Sequence, residues 1–354
     1  MSADLSAYGW DDARESSFAD HYAARRVPGR IAAVDRGACD VVTASGTVRA
    51  GTARFRTADP SAAPTTGDWT AVRLDEAPEV EELLARRSVI VRSSVSGHSF
   101  GQALAANVDT VAILAALTNR PSPGRLERML ALAWESGARP VVVLTKADRS
   151  ADAATEAATV AGEIPGVDVV ATSVTTGEGV DALTAVLTGT VVLLGQSGVG
   201  KSTLGNALLG EDALATGEVR SSDLRGRHTT VRRELVALPG GGVLIDTPGL
   251  RGVGLFDAEE GLQQVFSDIE GLAAECRFND CGHETEPGCA VLAATDSGEL
   301  PERRLASYRK LQRESQWAAS RRDARLRAEI RQEWKARVKA QRERYAERDN
   351  RRRR

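Results

Sequence analysis

The sequence predicts a multidomain chain: a small β-barrel, an α/β domain on a parallel sheet, a small cysteine-rich domain and a basic helical tail. Three observations predict it. Short β-like runs punctuated by Gly, Asp and Pro occupy residues 29–93, the pattern of a small barrel or sandwich. From about residue 94, apolar runs alternate with helix-like stretches, which makes a parallel sheet with helices on both faces. Cys276, Cys281, His283 and Cys289 then fall within fourteen residues, ahead of an arginine-rich end.

At 354 residues the chain has room for two or three domains. No apolar run reaches the length of a membrane span, and no membrane partner is expected. The first residues carry Asp4, Asp11, Asp12 and Glu15, without the basic start and apolar stretch of a signal peptide. With four cysteines, this favours the reducing cytoplasm, where clustered cysteines hold metal more often than they form disulfides. The net charge of −3 conceals a split. Residues 303–354 hold 20 Lys/Arg against 7 Asp/Glu, a net of +13, which leaves −16 for the rest. An acidic body with a basic tail suggests an anionic partner for the tail, and nucleic acid is the one expected.

Taken in order, residues 1–28 are polar and show no period, and are expected to form a loosely ordered lead-in. Strand-like runs follow at residues 29–34, 40–43, 46–49 and 68–73. An OB-type barrel over residues 29–93 is one solution, and such barrels often bind oligonucleotides. A packing module without a ligand fits the stretch equally well. Cys39 reads as a buried thiol of the barrel. In the next domain, residues 94–256, strands are expected at 111–117, 141–144, 167–170 and 190–194. Helices are expected at 125–135, 151–163, 180–187 and 204–209, and residues 232–246 read as a hairpin joining the sheet.

The strand at 190–194 runs into Gly195, Gln196, Ser197, Gly198, Val199, Gly200, Lys201, Ser202 and Thr203, and a helix follows. This is G-x-x-x-x-G-K-[ST] in the strand–loop–helix setting it requires. The glycines let backbone N–H groups turn inward as a nest for phosphate oxygens, and the helix start adds its own. Lys201 is expected to reach the β- and γ-phosphates, and the Ser202 hydroxyl to ligate Mg²⁺.

Thr145, Lys146, Ala147 and Asp148 end the strand at 141–144, where open α/β sheets bind ligands. A carboxylate can accept two hydrogen bonds from the N1–H and amino group of guanine, a donor pair that adenine lacks. The Lys146 stem can cover the base plane, and Ser173, at the next strand end, can close over it. Asp246 ends another strand and begins Asp-Thr-Pro-Gly249. An Asp there holds the Mg²⁺ shell, and the Gly249 N–H reaches the γ-phosphate. His228, Thr229 and Thr230 lie in a polar segment between them, with Thr230 available to Mg²⁺ and His228 a candidate for positioning water.

The cysteine cluster reads C-x4-C-x-H-x5-C. Cys₃His is a complete tetrahedral set for one Zn²⁺, closed to substrate and therefore structural, in a zinc-binding domain over residues 257–302. In the tail, Leu326, Ile330, Trp334 and Val338 recur every four residues as a narrow apolar stripe on a charged helix. The charge favours RNA contact, while a solvated helix held by Glu–Arg pairs is the simpler reading.

The motifs at 145–148, 172–174, 195–203, 228–230 and 246–249 resemble the guanine-nucleotide set of translational GTPases in permuted order, with the base-reading motifs first. That order, the preceding β-domain, the cysteine cluster and residues 102–109 together resemble the ribosome small-subunit-dependent GTPase A family (RsgA/YjeQ). The resemblance spans roughly residues 28–312. It implies an OB domain, a circularly permuted P-loop GTPase domain and a zinc domain. It further implies GTP/GDP and Mg²⁺, a cytoplasmic monomer, binding to the 30S subunit and its 16S rRNA, and GTP hydrolysis coupled to late subunit maturation and release. Val174 departs from the small residue the family commonly has there, and the arginine-rich tail goes beyond the family's shared core. A P-loop GTPase in signalling or transport without an RNA partner, and an RNA-binding module with a structural nucleotide site, are the other classes these motifs admit.

Overall fold

The computed structural model describes residues 4–57, 59–93, 101–118, 121–211, 214, 233–246 and 258–320. The lead-in expected to be loosely ordered is folded from Asp4 onward. A 3-10 turn at Leu5–Tyr8 precedes α1 (Asp12–Ser17) and α2 (Ala19–Ala23). Its anchors are aromatic: the Trp10 ring lies 4.8 Å from Trp69 and 5.6 Å from Phe18, with Leu5 and Phe18 buried. Helices of five and six residues are too short to display a repeat, so the sequence pattern concealed them.

Strands β1 (Val27–Asp35), β2 (Ala38–Thr43), β3 (Gly46–Gly51), β4 (Trp69–Arg73) and β5 (Glu79–Leu83) close a barrel in the order β1-β2-β3-β5-β4. The barrel expected as OB-type is thus closed by five strands, one more than the four runs read in the sequence. Ile31, Val41, Ala50, Val72, Val80 and the thiol of Cys39 fill it. β5 has three glutamates and buries only Val80 fully, so it carried no apolar alternation to announce it. β6 (Val89–Ser93), inside the stretch read as barrel, pairs instead with β7 (Gly101–Ala106) as a separate hairpin.

The second domain is a six-stranded sheet. Its strands are β8 (Thr110–Ala116), β9 (Arg139–Thr145), β10 (Asp168–Thr172), β11 (Thr190–Gly195), β12 (Glu234–Ala237) and β13 (Val243–Asp246), in the order β10-β9-β8-β11-β13-β12. All neighbours run parallel except the edge strand β12. The helices are α3 (Pro123–Glu135), α4 (Ala153–Glu163), α5 (Val180–Val186) and α6 (Lys201–Leu209).

Both sheet faces are covered, which explains the unbroken apolar runs. Val111, Ile113, Val142, Leu144, Val192 and Leu194 pack on one side with Leu126, Leu130 and Val160 of α3 and α4. Their neighbours Ala112, Leu114, Val141, Val143, Val191 and Leu193 pack on the other with Leu183 of α5 and Leu204 of α6. β11 lies between β8 and β13 although β8, β9 and β10 precede it in the chain, the connectivity expected of the permuted order.

Four helices form the C-terminal module: α7 (Glu259–Val265), α8 (Ser267–Ala273), α9 (Ala290–Ser297) and α10 (Glu302–Ser320). Phe266, Ile269, Val291, Leu300, Leu305, Tyr308 and Leu311 make its core, which also takes in Ala131 of α3. The expected boundary between zinc domain and tail at residue 303 therefore moves. α10 presents Leu305, Tyr308 and Leu311 to the core at a spacing of three, a helical stripe that burial requires. Residues 321–354, with the Leu326, Ile330, Trp334 and Val338 stripe, lie outside the described residues. Among the described residues no helix is long and apolar enough to cross a membrane.

Candidate functional site

The parallel register aligns the C-terminal ends of four strands at one sheet edge. Thr172 stands beside Thr145, Thr145 beside Ala116, and Gly195 beside Leu114. Asp246 ends β13, the strand next to β11. The chain leaving these ends carries the described residues of the motifs at 145–148, 172–174 and 195–203, and the fold brings them together.

Gly195, Gln196, Ser197, Gly198, Val199 and Gly200 form the turn from β11 into α6. Gly198 has φ +81° and Gly200, the residue capping α6, φ +96°, conformations a side chain would strain. Val199 is buried, which anchors the loop beneath its exposed crest at Gln196, Ser197 and Gly198. Lys201 Nζ donates to the carbonyls of Gly195 at 2.9 Å and Gln196 at 2.7 Å, arching across the loop. Ser202 is half-buried in the first turn of α6, and Thr203 is exposed.

The base-reading candidates hold this loop from the side. Thr145 Oγ1 donates to the Val199 carbonyl at 2.6 Å, and Lys146 Nζ to the Gly198 carbonyl at 2.7 Å. Lys146 sits at φ +60°, a left-handed turn that swings the chain out of β9 into Ala147 and Asp148. Ala147 is buried, whereas Asp148 is exposed. Asp148 Oδ1 accepts from Ser173 Oγ at 2.6 Å, so the two motifs predicted to face one base are in direct contact. The Glu178 carbonyl accepts from Ser173 N at 2.9 Å and Thr172 Oγ1 at 3.1 Å, clamping that strand end.

Burial pushes the Asp246 carboxyl above its ordinary range; Lys201 opposes this and Glu234, its register partner on β12, adds to it. A carboxylate desolvated beside a lysine suits a shell around a cation. His228, Thr229, Thr230 and Gly249 lie outside the described residues.

The four metal-ligand candidates also come together. The ligand atoms of Cys276, Cys281, His283 and Cys289 all lie within 4.8 Å of one another. Cys276 Sγ is 3.8 Å from Cys289 Sγ, and His283 Nδ1 is 3.6 Å and 3.4 Å from those two sulfurs. A tetrahedron with Zn–S near 2.3 Å and Zn–N near 2.0–2.1 Å has edges of about 3.8 Å between sulfurs and about 3.6 Å between sulfur and nitrogen. The residues therefore fit one zinc ion. Burial lowers the His283 pKa and favours the neutral, ligating imidazole. His283 takes φ +56°, and its carbonyl accepts from Arg309 of α10, which fixes the loop to the module.

Two residues of α3 have no motif to mark them: one meets the loop at 195–200, and the other faces the C-terminal module. Arg125 Nη1 donates to Gln196 Oε1 at 2.7 Å, and Glu127 is fully buried on the same helix. Only the sequence position of α3, immediately after β8, could have hinted at either.

The family described as RsgA GTPase matches residues 83–256. A Streptomyces avermitilis protein named small ribosomal subunit biogenesis GTPase RsgA is 59% identical over 336 residues, covering 94% of this chain and 91% of the relative. Among solved structures, YjeQ from Thermotoga maritima superposes with a TM-score of 0.59 at 25% identity, covering 81% of this chain and 97% of that one. YloQ, described as a circularly permuted GTPase, superposes with a TM-score of 0.57 at 24% identity over 84% of this chain and 96% of that one, a likeness of fold.

Proposed function

The chain belongs to the RsgA GTPase family, and from that premise we propose that it hydrolyses GTP in the service of small ribosomal subunit biogenesis. The reaction joins a water oxygen to the γ-phosphorus and breaks the bond from that phosphorus to the β,γ-bridging oxygen. GDP departs with the electron pair, and the water protons pass to phosphate and solvent. The observation that carries the reading is the meeting of Asp148 with Ser173 at 2.6 Å beside a phosphate loop held by Thr145 and Lys146. A base-reading pair and a phosphate nest within one hydrogen-bonded unit suit a guanine nucleotide.

In this reading residues 195–203 cradle the phosphates, with Lys201 on the β- and γ-oxygens. Thr145, Lys146, Ala147, Asp148 and Ser173 hold the base. Ser202 and Thr230 would hold the nucleotide's Mg²⁺ with Asp246 nearby, and the ion when bound would neutralise charge on the phosphate oxygens. Gly249 offers its N–H to the γ-phosphate, Thr229 belongs with Thr230 to the switch segment, and His228 positions the attacking water. Cys276, Cys281, His283 and Cys289 hold a structural zinc. The partner surface combines the barrel, the zinc module and the basic tail against 16S rRNA. The protein acts as a cytoplasmic monomer, and hydrolysis releases it from the subunit.

Phosphate release from GTP and ATP, measured with and without purified 30S subunits, tests this. GTP-selective turnover that rises with subunits is expected. Equal turnover of ATP would overturn the base assignment, and subunit-independent turnover would leave a GTPase acting elsewhere.

A further inference from the structure

One helix touches both the phosphate loop and the C-terminal module. At the start of α3, Arg125 reaches Gln196, across a cleft of about 290 Å³ bounded by the end of β8 and residues 196–199. Two residues on, Glu127 is 1% exposed. Its Oε1 accepts from Arg304 at 3.1 Å and Arg303 at 3.2 Å, and its Oε2 from the Ser307 hydroxyl, all on α10. Arg304 is itself buried and also bonds Asp268 at 2.5 and 2.8 Å. Arg128 pairs with Glu314 at 2.5 Å.

The far end of α3 is joined as closely. A Cβ on Gly261 of α7 would lie 2.0 Å from the Ala131 carbonyl oxygen, so the two helices cross at a distance only glycine permits. The Gly261 N–H donates to Glu135 Oε2 at 2.9 Å. A buried carboxylate with three donors from one partner helix tolerates little displacement, because any shift leaves charge unpaired in a dry interior. α3 must therefore move with the module or resist it as a unit.

We infer that α3 couples the C-terminal module to nucleotide binding, with Arg125 as a positioning residue that holds the phosphate loop through Gln196 and Glu127 as the post on which the module is mounted. This rests on reading residues 195–203 as the phosphate loop. Wild-type binding of a fluorescent GDP analogue tests that reading separately: no binding removes the reading, whereas the variants below address the coupling.

The measurement is the dissociation rate of that analogue from the full-length, zinc-loaded protein. Arg125→Ala is expected to speed release roughly three- to tenfold, the size of one charge-assisted hydrogen bond near the surface. Arg125→Lys keeps a donor and should stay within about twofold of wild type. Glu127→Gln should also speed release, yet the double variant should be no faster than Arg125→Ala alone, since the effect passes through Arg125. If Glu127→Gln loses zinc, Glu314→Gln takes its place and the same non-additivity is expected. An unchanged rate in Arg125→Ala, a lysine variant as fast as the alanine one, or effects that multiply in the double variant would each overturn the coupling.

Discussion

Arg30 in the barrel donates from Nη2 to Thr190 Oγ1 at the start of β11, at 2.7 Å and across 160 positions of chain. The same nitrogen donates to the Asn107 carbonyl at 3.1 Å, and Nη1 donates to the Tyr8 carbonyl. The guanidinium is 1% exposed and lies 5.2 Å from the Trp69 ring centroid. Burial pushes its pKa down to about 10, so it remains charged at neutral pH. One side chain thus joins the N-terminal segment, the barrel and the sheet domain. Arg30→Ala should cost about 2–4 kcal/mol, from lost charge-assisted bonds and the void left behind. Urea denaturation reads this, and a loss below about 1 kcal/mol would mean that the barrel docks by other contacts.

Asp148→Asn should weaken GTP binding by on the order of 1–3 kcal/mol, because an acceptor oxygen becomes a donor facing donors. The bond from Ser173 Oγ to Asp148 Oδ1 can re-form to the amide oxygen, so the fold should hold. Competition titrations with GTP and ATP decide it. A variant that still prefers GTP as strongly as wild type would show that another group reads the base.

Cys276→Ser should remove zinc and lower the melting temperature. Metal binding supplies the folding energy of such loops, roughly 10–16 kcal/mol in small peptides, while α7–α10 retain a core of their own. Partial unfolding of the module with persisting nucleotide binding is therefore expected, along with weaker subunit binding. Metal analysis of freshly purified wild type should find one zinc per chain; finding none would end this assignment.

Truncation after Ser320 removes 15 Lys/Arg and 6 Asp/Glu while sparing α10. Binding to 30S subunits should weaken, and its dependence on salt should flatten, since each phosphate neutralised adds to the slope. Sedimentation at several salt concentrations gives the slope directly. An unaltered slope would make the tail a solvated helix.

Leu250 follows the D-x-x-G motif, where many GTPases carry a water-orienting glutamine. Leucine cannot hydrogen-bond, so intrinsic hydrolysis should be slow and rise when the subunit completes the site. In other GTPases a completing partner supplies about 10³–10⁵-fold. His228→Ala should abolish the stimulation while sparing GTP binding. Single-turnover hydrolysis with and without subunits separates the effects, and fast hydrolysis by the free protein would remove any need for an activator.

Local conformation was legible in the sequence. Gly198, Gly200 and Lys201 marked a tight strand-to-helix loop, the one proposed to hold phosphate, because backbone conformation and charge are properties of short segments. The order of motifs announced the permutation, and the spacing of Cys276, Cys281, His283 and Cys289 a closed metal set. Apolar runs at residues 111–117, 141–144 and 190–194 announced strands buried on both faces. Tertiary structure decided what depends on distant partners. Nothing local distinguishes Arg30 or Glu127 from surface charges; each is buried only because its partners lie far along the chain. β5 exists because the barrel needs a strand to close, despite its glutamates. α1 and α2 are held by Phe18 packing on Trp10 and Trp10 on Trp69, and α10 leaves the tail because Leu305, Tyr308 and Leu311 find the module core. Periodicity and motifs record what neighbouring residues do together, whereas burial of a charge or an aromatic ring is settled by the fold that surrounds it.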